Sequence, residues 1–200
     1  EVYGGSLEAM GDLPVMAALT PEERKALGTM IARGVNAPWC TSMGRLFDAV
    51  ASLCGFCQHS AFEGQAAMRL ECAARACTGG PGDYRLAALR GEERWLLDWQ
   101  PLMEGIIADL GRGDSVESIA AGFHEALAVG ILEMVRAQPL RDIVLTGGCF
   151  QNTLLHERAL QLLRDGGYRV YRHRLVPPND GGLSVGQAWY RPDGKDIPCV

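Results

Sequence analysis

The sequence predicts a helix-rich α/β fold with a parallel βαβ unit near its C-terminus, and three observations carry that prediction. Asp142 to Thr146 reads as a strand, Phe150 to Arg164 as a helix and Tyr168 to His173 as a second strand. A strand, helix and strand in that length form a crossover, which sets the two strands parallel with a right-handed connection. Upstream, Ile119, Phe123, Leu127, Ile131, Met134 and Val135 make one apolar stripe along a long helix. Finally, 48% apolar and 22% charged residues are ordinary globular usage, so a packed core is expected rather than disorder.

The elements follow in order. Residues 1–19 are only loosely periodic and read as an irregular lead-in, with residues 20–200 as a single domain. Thr20-Pro21-Glu22-Glu23 is a helix start, with a capping Thr, Pro at the first helical position and Glu at the third. That helix runs to about Arg33, where Gly34 and Asn36-Ala37-Pro38 stop it. A second helix begins at Ser42, carries Leu46, Phe47, Val50, Leu53 and Cys54 at helical spacing, and ends at Gly55. A third spans about Phe62 to Cys77 and breaks at Gly79-Gly80-Pro81-Gly82-Asp83. Trp95, Leu96, Leu97 and Trp99 suggest a buried element, with Trp95 and Trp99 read as core, and Pro101 to Leu110 a short helix closed by Gly111. Asp114 or Ser115 caps the long helix, and a last helix follows Gly181-Gly182 and ends before Pro192.

Composition excludes several roles. A net charge of −5 argues against nucleic acid as the partner, since phosphate-binding surfaces carry a basic field. Nothing reaches the roughly 18 consecutive apolar residues of a membrane span, and no basic start leads into an apolar signal. Seven cysteines, an odd count beside an ample core, fit reduced thiols in a cytoplasmic protein. Cys54-Gly55-Phe56-Cys57 with Cys72 and Cys77 lacks the paired turns of a structural zinc site, so thiols are expected there, and Cys199 suggests nothing further. His124, mid-helix beside the apolar stripe, reads as a hydrogen-bonded structural histidine. The chain opens on Glu1, and we expect an excised domain or fragment.

Chemistry concentrates in two loops. Thr146-Gly147-Gly148-Cys149-Phe150-Gln151-Asn152 puts two glycines at the end of a strand and before a helix. Glycine lets a phosphate or sugar approach the backbone, and the helix start offers free N–H groups and a positive dipole end. Asn152 can donate to and accept from a ribose or base. The alternative is a tight turn that merely needs glycine. The second loop, Pro177-Pro178-Asn179-Asp180-Gly181-Gly182, leaves the same sheet edge, where open α/β sheets bind ligands. Asp180 would aim a carboxylate into that crevice for a metal bridging to phosphates, or would cap the last helix.

The runs Arg33-Gly34-Val35-Asn36-Ala37-Pro38, Gly44-Arg45-Leu46-Phe47-Asp48-Ala49-Val50 and Phe62-Glu63-Gly64-Gln65-Ala66-Ala67, with the two glycine loops, resemble the HypF-type carbamoyltransferases of nickel–iron hydrogenase maturation. The blocks fall in that family's order from about residue 11 onward, and five in sequence are more specific than any one. The similarity reaches more distantly to threonylcarbamoyl transferases of tRNA modification and antibiotic O-carbamoyltransferases, which share the actin-like ATPase fold. It implies that the chain is the C-terminal lobe of such a fold. It further implies ATP, a carbamoyl adenylate intermediate made with carbamoyl phosphate, a divalent metal such as Mg²⁺ or Fe²⁺, and delivery to the C-terminal cysteine of a HypE-like acceptor. By resemblance Asp180 ligates the metal, and Asp48 and Gly64 contact the nucleotide or its sugar, with Glu63 beside them. Gly147, Gly148 and Asn152 form the adenosine-side loop. The resemblance assigns no catalytic residue here.

One departure bears on activity. The family completes its metal site with an His-x-x-x-His pair, and His59, His124, His156 and His173 include no such spacing. The chain is therefore expected to carry half a metal site and half a cleft, and to be inactive alone. The competing expectations are a non-catalytic partner-docking module and a small-molecule O-carbamoyltransferase.

Overall fold

Helix starts are set by local chemistry. In the computed structural model, which describes residues 11, 13–38, 40–91 and 95–189, Thr20 caps a helix through a reciprocal box. Its hydroxyl accepts from the Glu23 N–H at 3.2 Å, and the Glu23 carboxylate accepts from the Thr20 N–H at 2.8 Å. Before it lies one turn, α1 (Pro14–Ala17), whose Met16 is buried within the stretch read as a lead-in. Then come α2 (Pro21–Arg33), α3 (Met43–Leu53) and α4 (Gln65–Ala76). The third helix starts later than its apolar pattern suggested, because Gly64 takes φ +79° and Phe62 stays 53% exposed.

Residues 84–113 depart most from expectation. β1 (Ala87–Arg90) and β2 (Trp95–Asp98) form an antiparallel pair, with Ala87 opposite Asp98. Trp95 and Trp99 are not core: Trp95 is half-buried on a strand and Trp99 is exposed beyond it. What this segment buries instead is Tyr84 and Leu86 ahead of the strands and Leu102, Met103 and Ile106 after them, and the Tyr84 hydroxyl donates to Asp109 at 2.6 Å. Helix α5 (Gln100–Arg112) runs through Gly111 and stops at Gly113, which adopts φ +78°.

The organising element is α6 (Val116–Arg136), capped by the Ser115 hydroxyl on the Ser118 N–H. It packs against α4, α5, α7 (Thr153–Asp165) and the β1–β2 pair. Ile119, Phe123 and Leu127 lie fully inside, and Phe47 of α3 meets the Phe123 ring edge-on at 4.9 Å. Each such aromatic contributes about 1.5–3 kcal/mol by leaving water. Helix α6 has no unbroken apolar run of membrane-spanning length but is long and apolar enough on average to cross a bilayer, and with 56% of its most apolar window buried in this fold, core packing explains it. Close approach at one point is possible only for glycine: a Cβ on Gly122 would sit 2.3 Å from the Gly82 carbonyl oxygen.

Strands β3 (Asp142–Leu145) and β4 (Arg169–Arg172) pair in parallel on either side of α7, Asp142 opposite Arg169 and Leu145 opposite Arg172. Ile143, Leu145 and Val170 face α6 and α7, where Leu132, Leu160 and Leu163 form a second small cluster. A final short helix, α8 (Leu183–Trp189), follows the second glycine loop. Its expected end before Pro192, like Cys199 and residues 1–10, lies outside the described residues.

Candidate functional site

Because β3 and β4 run the same way, the loops that leave them open on one edge. After β3, Gly147 takes φ +108° and ψ 155°, a setting that L side chains avoid. One turn of 3₁₀ helix, Gly148–Gln151, then leads to Asn152 and α7. After β4, the chain passes His173 and Pro177-Pro178 into a second short turn, Asp180–Gly182. The loops bond directly: the Gly147 N–H donates to the Pro178 carbonyl at 2.8 Å, and His173 Nε2 lies 3.0 Å from Thr146 Oγ1. Gly148 lies beside Asn179 of the second loop, with room for an ordinary side-chain contact: a Cβ there would lie 3.8 Å from it. Among the described residues, the Gly148 and Cys149 N–H groups have no hydrogen-bond partner. Beside the rim, His173, Val176, Gly182, Val185, Gly186 and Trp189 line an open, mostly apolar hollow of about 430 Å³.

Asp180 is exposed at this edge, and no described residue bonds or pairs with its carboxylate. The capping role falls to its neighbour: Asn179 Oδ1 accepts the Gly181 N–H at 3.1 Å. Asn152, expected at the nucleoside, has a structural role within the fold. It is 8% exposed, its Oδ1 accepts the Leu155 N–H at 3.0 Å, and its Nδ2 donates to His124 Nε2 at 2.8 Å. Both ends of the amide are engaged inside the fold. The turn folds Asn152 back as the N-cap of α7, which leaves one Nδ2 hydrogen and one Oδ1 lone pair uncommitted.

His124 is a buried, bonded histidine, as its sequence position suggested. Its Nδ1 lies 2.7 Å from the Ala120 carbonyl, an acceptor only, so Nδ1 carries the proton and Nε2 receives Asn152. Burial holds this imidazole below the usual histidine range, the Ala120 bond opposing only in part.

Two residues at this helix start gave no sequence signal. Glu71 of α4 places Oε1 on the Thr153 N–H at 3.1 Å, the Leu154 N–H at 3.2 Å and the Thr153 hydroxyl at 2.7 Å. Arg75 donates to the same oxygen at 2.9 Å and also meets Thr153. Burial resists ionisation of Glu71, yet the bonds from Thr153, Arg75 and Leu154 outweigh it and keep the carboxyl below the usual range. The helix start expected to greet a ligand anion is thus already matched by a carboxylate from within. The partners are 82 and 83 residues apart, beyond any local pattern.

The remaining expected residues lie on α3 and at the start of α4. Asp48 pairs with Arg45 at 3.0 Å, while Glu63 and Gly64 are exposed ahead of α4. No hydrogen bond or ion pair joins them to the glycine loops among the described residues.

Comparison with known proteins fixes the relationship. The family model for the second subdomain of the Kae1-like domain of carbamoyltransferases matches residues 5–187. The chain belongs to the HypF carbamoyltransferase family. It is 34% identical to the carbamoyltransferase HypF of Synechocystis over 88% of this chain and 22% of that one. With HypF of Rhodobacter capsulatus it shares 37% identity over 91% of this chain and 24% of that one. A crystal structure of full-length HypF in a phosphate- and nucleotide-bound form superposes with a TM-score of 0.79 at 31% identity, covering 94% of this chain and 30% of that one. HypF of T. kodakarensis gives 0.70 at 26% identity, covering 88% and 23%. The chain thus spans about a quarter of the length of these HypF relatives. Set against the metal that HypF resemblance implies, Asp180 supplies one free carboxylate, and no group of three or more metal-binding side chains occurs among the described residues. A single ligand fits part of a shared site.

Proposed function

We propose that this chain forms one wall of the nucleotide- and metal-binding cleft in the actin-like domain of a complete HypF-type carbamoyltransferase. The observation that carries the reading is the Gly147 to Pro178 bond, which joins two glycine loops into one rim beyond the carboxyl ends of parallel strands. Gly147 and Gly148 let a nucleotide approach the backbone, and the unmatched Gly148 and Cys149 N–H groups are donors for it. Asp180 is the residue that would hold a divalent metal, which supplies positive charge to phosphate oxygens. Asp48, Glu63 and Gly64 are assigned to the nucleotide by resemblance alone. In the family's reaction, water cleaves carbamoyl phosphate to carbamate and free phosphate, and a carbamate oxygen then attacks the α-phosphorus of ATP, forming carbamoyl adenylate as pyrophosphate leaves. The acceptor thiol, the C-terminal cysteine of a HypE-like protein, then attacks the carbamoyl carbon, the bond to AMP breaks and the thiol proton is released. Dehydration of the product serves cyanide-ligand synthesis for hydrogenase in the cytoplasm.

The test is calorimetric titration of an ATP analogue with Mg²⁺ or Fe²⁺ into the complete enzyme. Asp180→Ala and Gly147→Val are expected to weaken binding about tenfold or more. Asp180 is exposed and has no partner among the described residues, so its replacement leaves folding within about 0.5 kcal/mol. Unchanged affinity in both variants would overturn the proposal. The outer face of the β3–β4 pair, with Val144 63% and Tyr171 53% exposed, favours a second reading as a docking module. Partner binding with no nucleotide affinity would select it.

A further inference from the structure

The first turn of α7 is closed from within the molecule. Glu71, 16% exposed at its side chain, serves the Thr153 and Leu154 N–H groups, and Asn152 serves that of Leu155. These are the donors that a helix start otherwise presents to a solvent anion. Arg75 lies against the same carboxylate, so the seat holds one negative and one positive charge before any ligand arrives. The turn from Gly147 to Asn152 is consequently tied at both ends, to Pro178 at its start and through α7 to α4 at its finish.

We propose that Glu71, held by Arg75, is a positioning residue for the glycine-loop site: it fixes the start of α7 and the preceding turn, and bars ligand phosphate from that helix end. The consequence is a choice of donors. A phosphate close to Glu71 meets like charge and finds the α7 N–H groups engaged, whereas the Gly148 and Cys149 N–H groups point to no described partner. The idea rests on the nucleotide-site reading above, and its test separates the two.

In the complete enzyme, carbamoyl-phosphate-dependent pyrophosphate release from ATP would be followed for Glu71→Ala and Glu71→Gln. Glu71→Ala is expected to raise the KM for ATP about tenfold while kcat changes by less than about twofold, the mark of lost binding geometry. Added formate, a small carboxylate, enters the vacated seat beside Arg75 and brings KM back toward the parent value, which general loss of stability would not allow. Glu71→Gln keeps the shape and one acceptor, so it folds and still raises KM, and formate has no effect because the seat is filled. An unchanged KM in Glu71→Gln overturns the proposal, as does a raised KM in Glu71→Ala that formate leaves untouched. Should Glu71→Ala fail to fold, Glu71→Gln decides alone. Loss of the site reading itself shows separately, as intact nucleotide affinity in Asp180→Ala and Gly147→Val.

Discussion

Replacing Asn152 by alanine removes a helix cap and the partner of a buried histidine in one step. The cap is the 3.0 Å bond from the Leu155 N–H to Oδ1, and the partner bond runs 2.8 Å from Nδ2 to His124 Nε2. Losing an asparagine N-cap costs about 1 kcal/mol. His124 is 2% exposed, so no bulk water replaces the lost donor, and an unmatched buried acceptor costs about 1–3 kcal/mol. The sum is about 2–4 kcal/mol, which for a chain of this size lowers the melting temperature by roughly 5–15 °C. Urea unfolding at pH 7.5, followed by circular dichroism, measures it. Asn152→Ser separates the parts, because serine caps well yet does not reach His124. It should lose only about 1–3 kcal/mol. An alanine variant within about 0.5 kcal/mol of the parent would refute both contributions, and equal losses for Ala and Ser would remove the cap from the account.

Acid should weaken the fold through His124. Burial holds its folded pKa below the value near 6.5 of an unfolded chain, so the unfolded state binds the extra proton; stability is full above about pH 6.5 and declines as pH falls below it. The urea midpoint should fall between pH 7.5 and 5.0, and His124→Gln should flatten that decline; the carboxyl of Glu71, held low, adds its own loss only below about pH 4.3. Gly122→Ala should destabilise by about 1–3 kcal/mol despite the better helix propensity of alanine, because the new methyl meets the Gly82 backbone rather than a side chain that can turn away; a more stable variant in thermal melts would contradict the close approach. Burial pushes the Cys54 thiol up to about 12, so it should resist alkylation at pH 8 while exposed Cys40 and Cys72 react, which mass mapping would read.

What the sequence made legible was local. The capping box at Thr20, the Ser115 cap and the long stripe of α6 depend on residues three or four apart, and the structure contains each. The glycine loops were legible for the same reason, since positive φ at Gly147 is a demand the residue type announces. The β1–β2 pair was not: four-residue strands carry too short an alternation to be told from a helix, and two tryptophans drew the pattern toward a core they do not enter. Asp180 and Asn179 differ by one position, and only the turn decides which of them caps.

Asn152 caps α7 and bonds His124 inside the fold, a structural role that no local pattern announces. An asparagine after a glycine turn is ambiguous in sequence, because the same amide suits a ribose outside or an N–H inside. Resolving it needs His124, 28 residues away, and Glu71, more than 80 away, neither of which any spacing rule reaches. Once both are in place, the α7 start has no free donor in its first turn to offer a ligand. At this edge the Gly148 and Cys149 N–H groups, like those of Asn179 and Asp180 in the second loop, have no hydrogen-bond partner among the described residues. Under the proposed nucleotide reading, the internal carboxylate therefore leaves a ligand phosphate the free donors at the junction of the two loops, with Asp180 on the second.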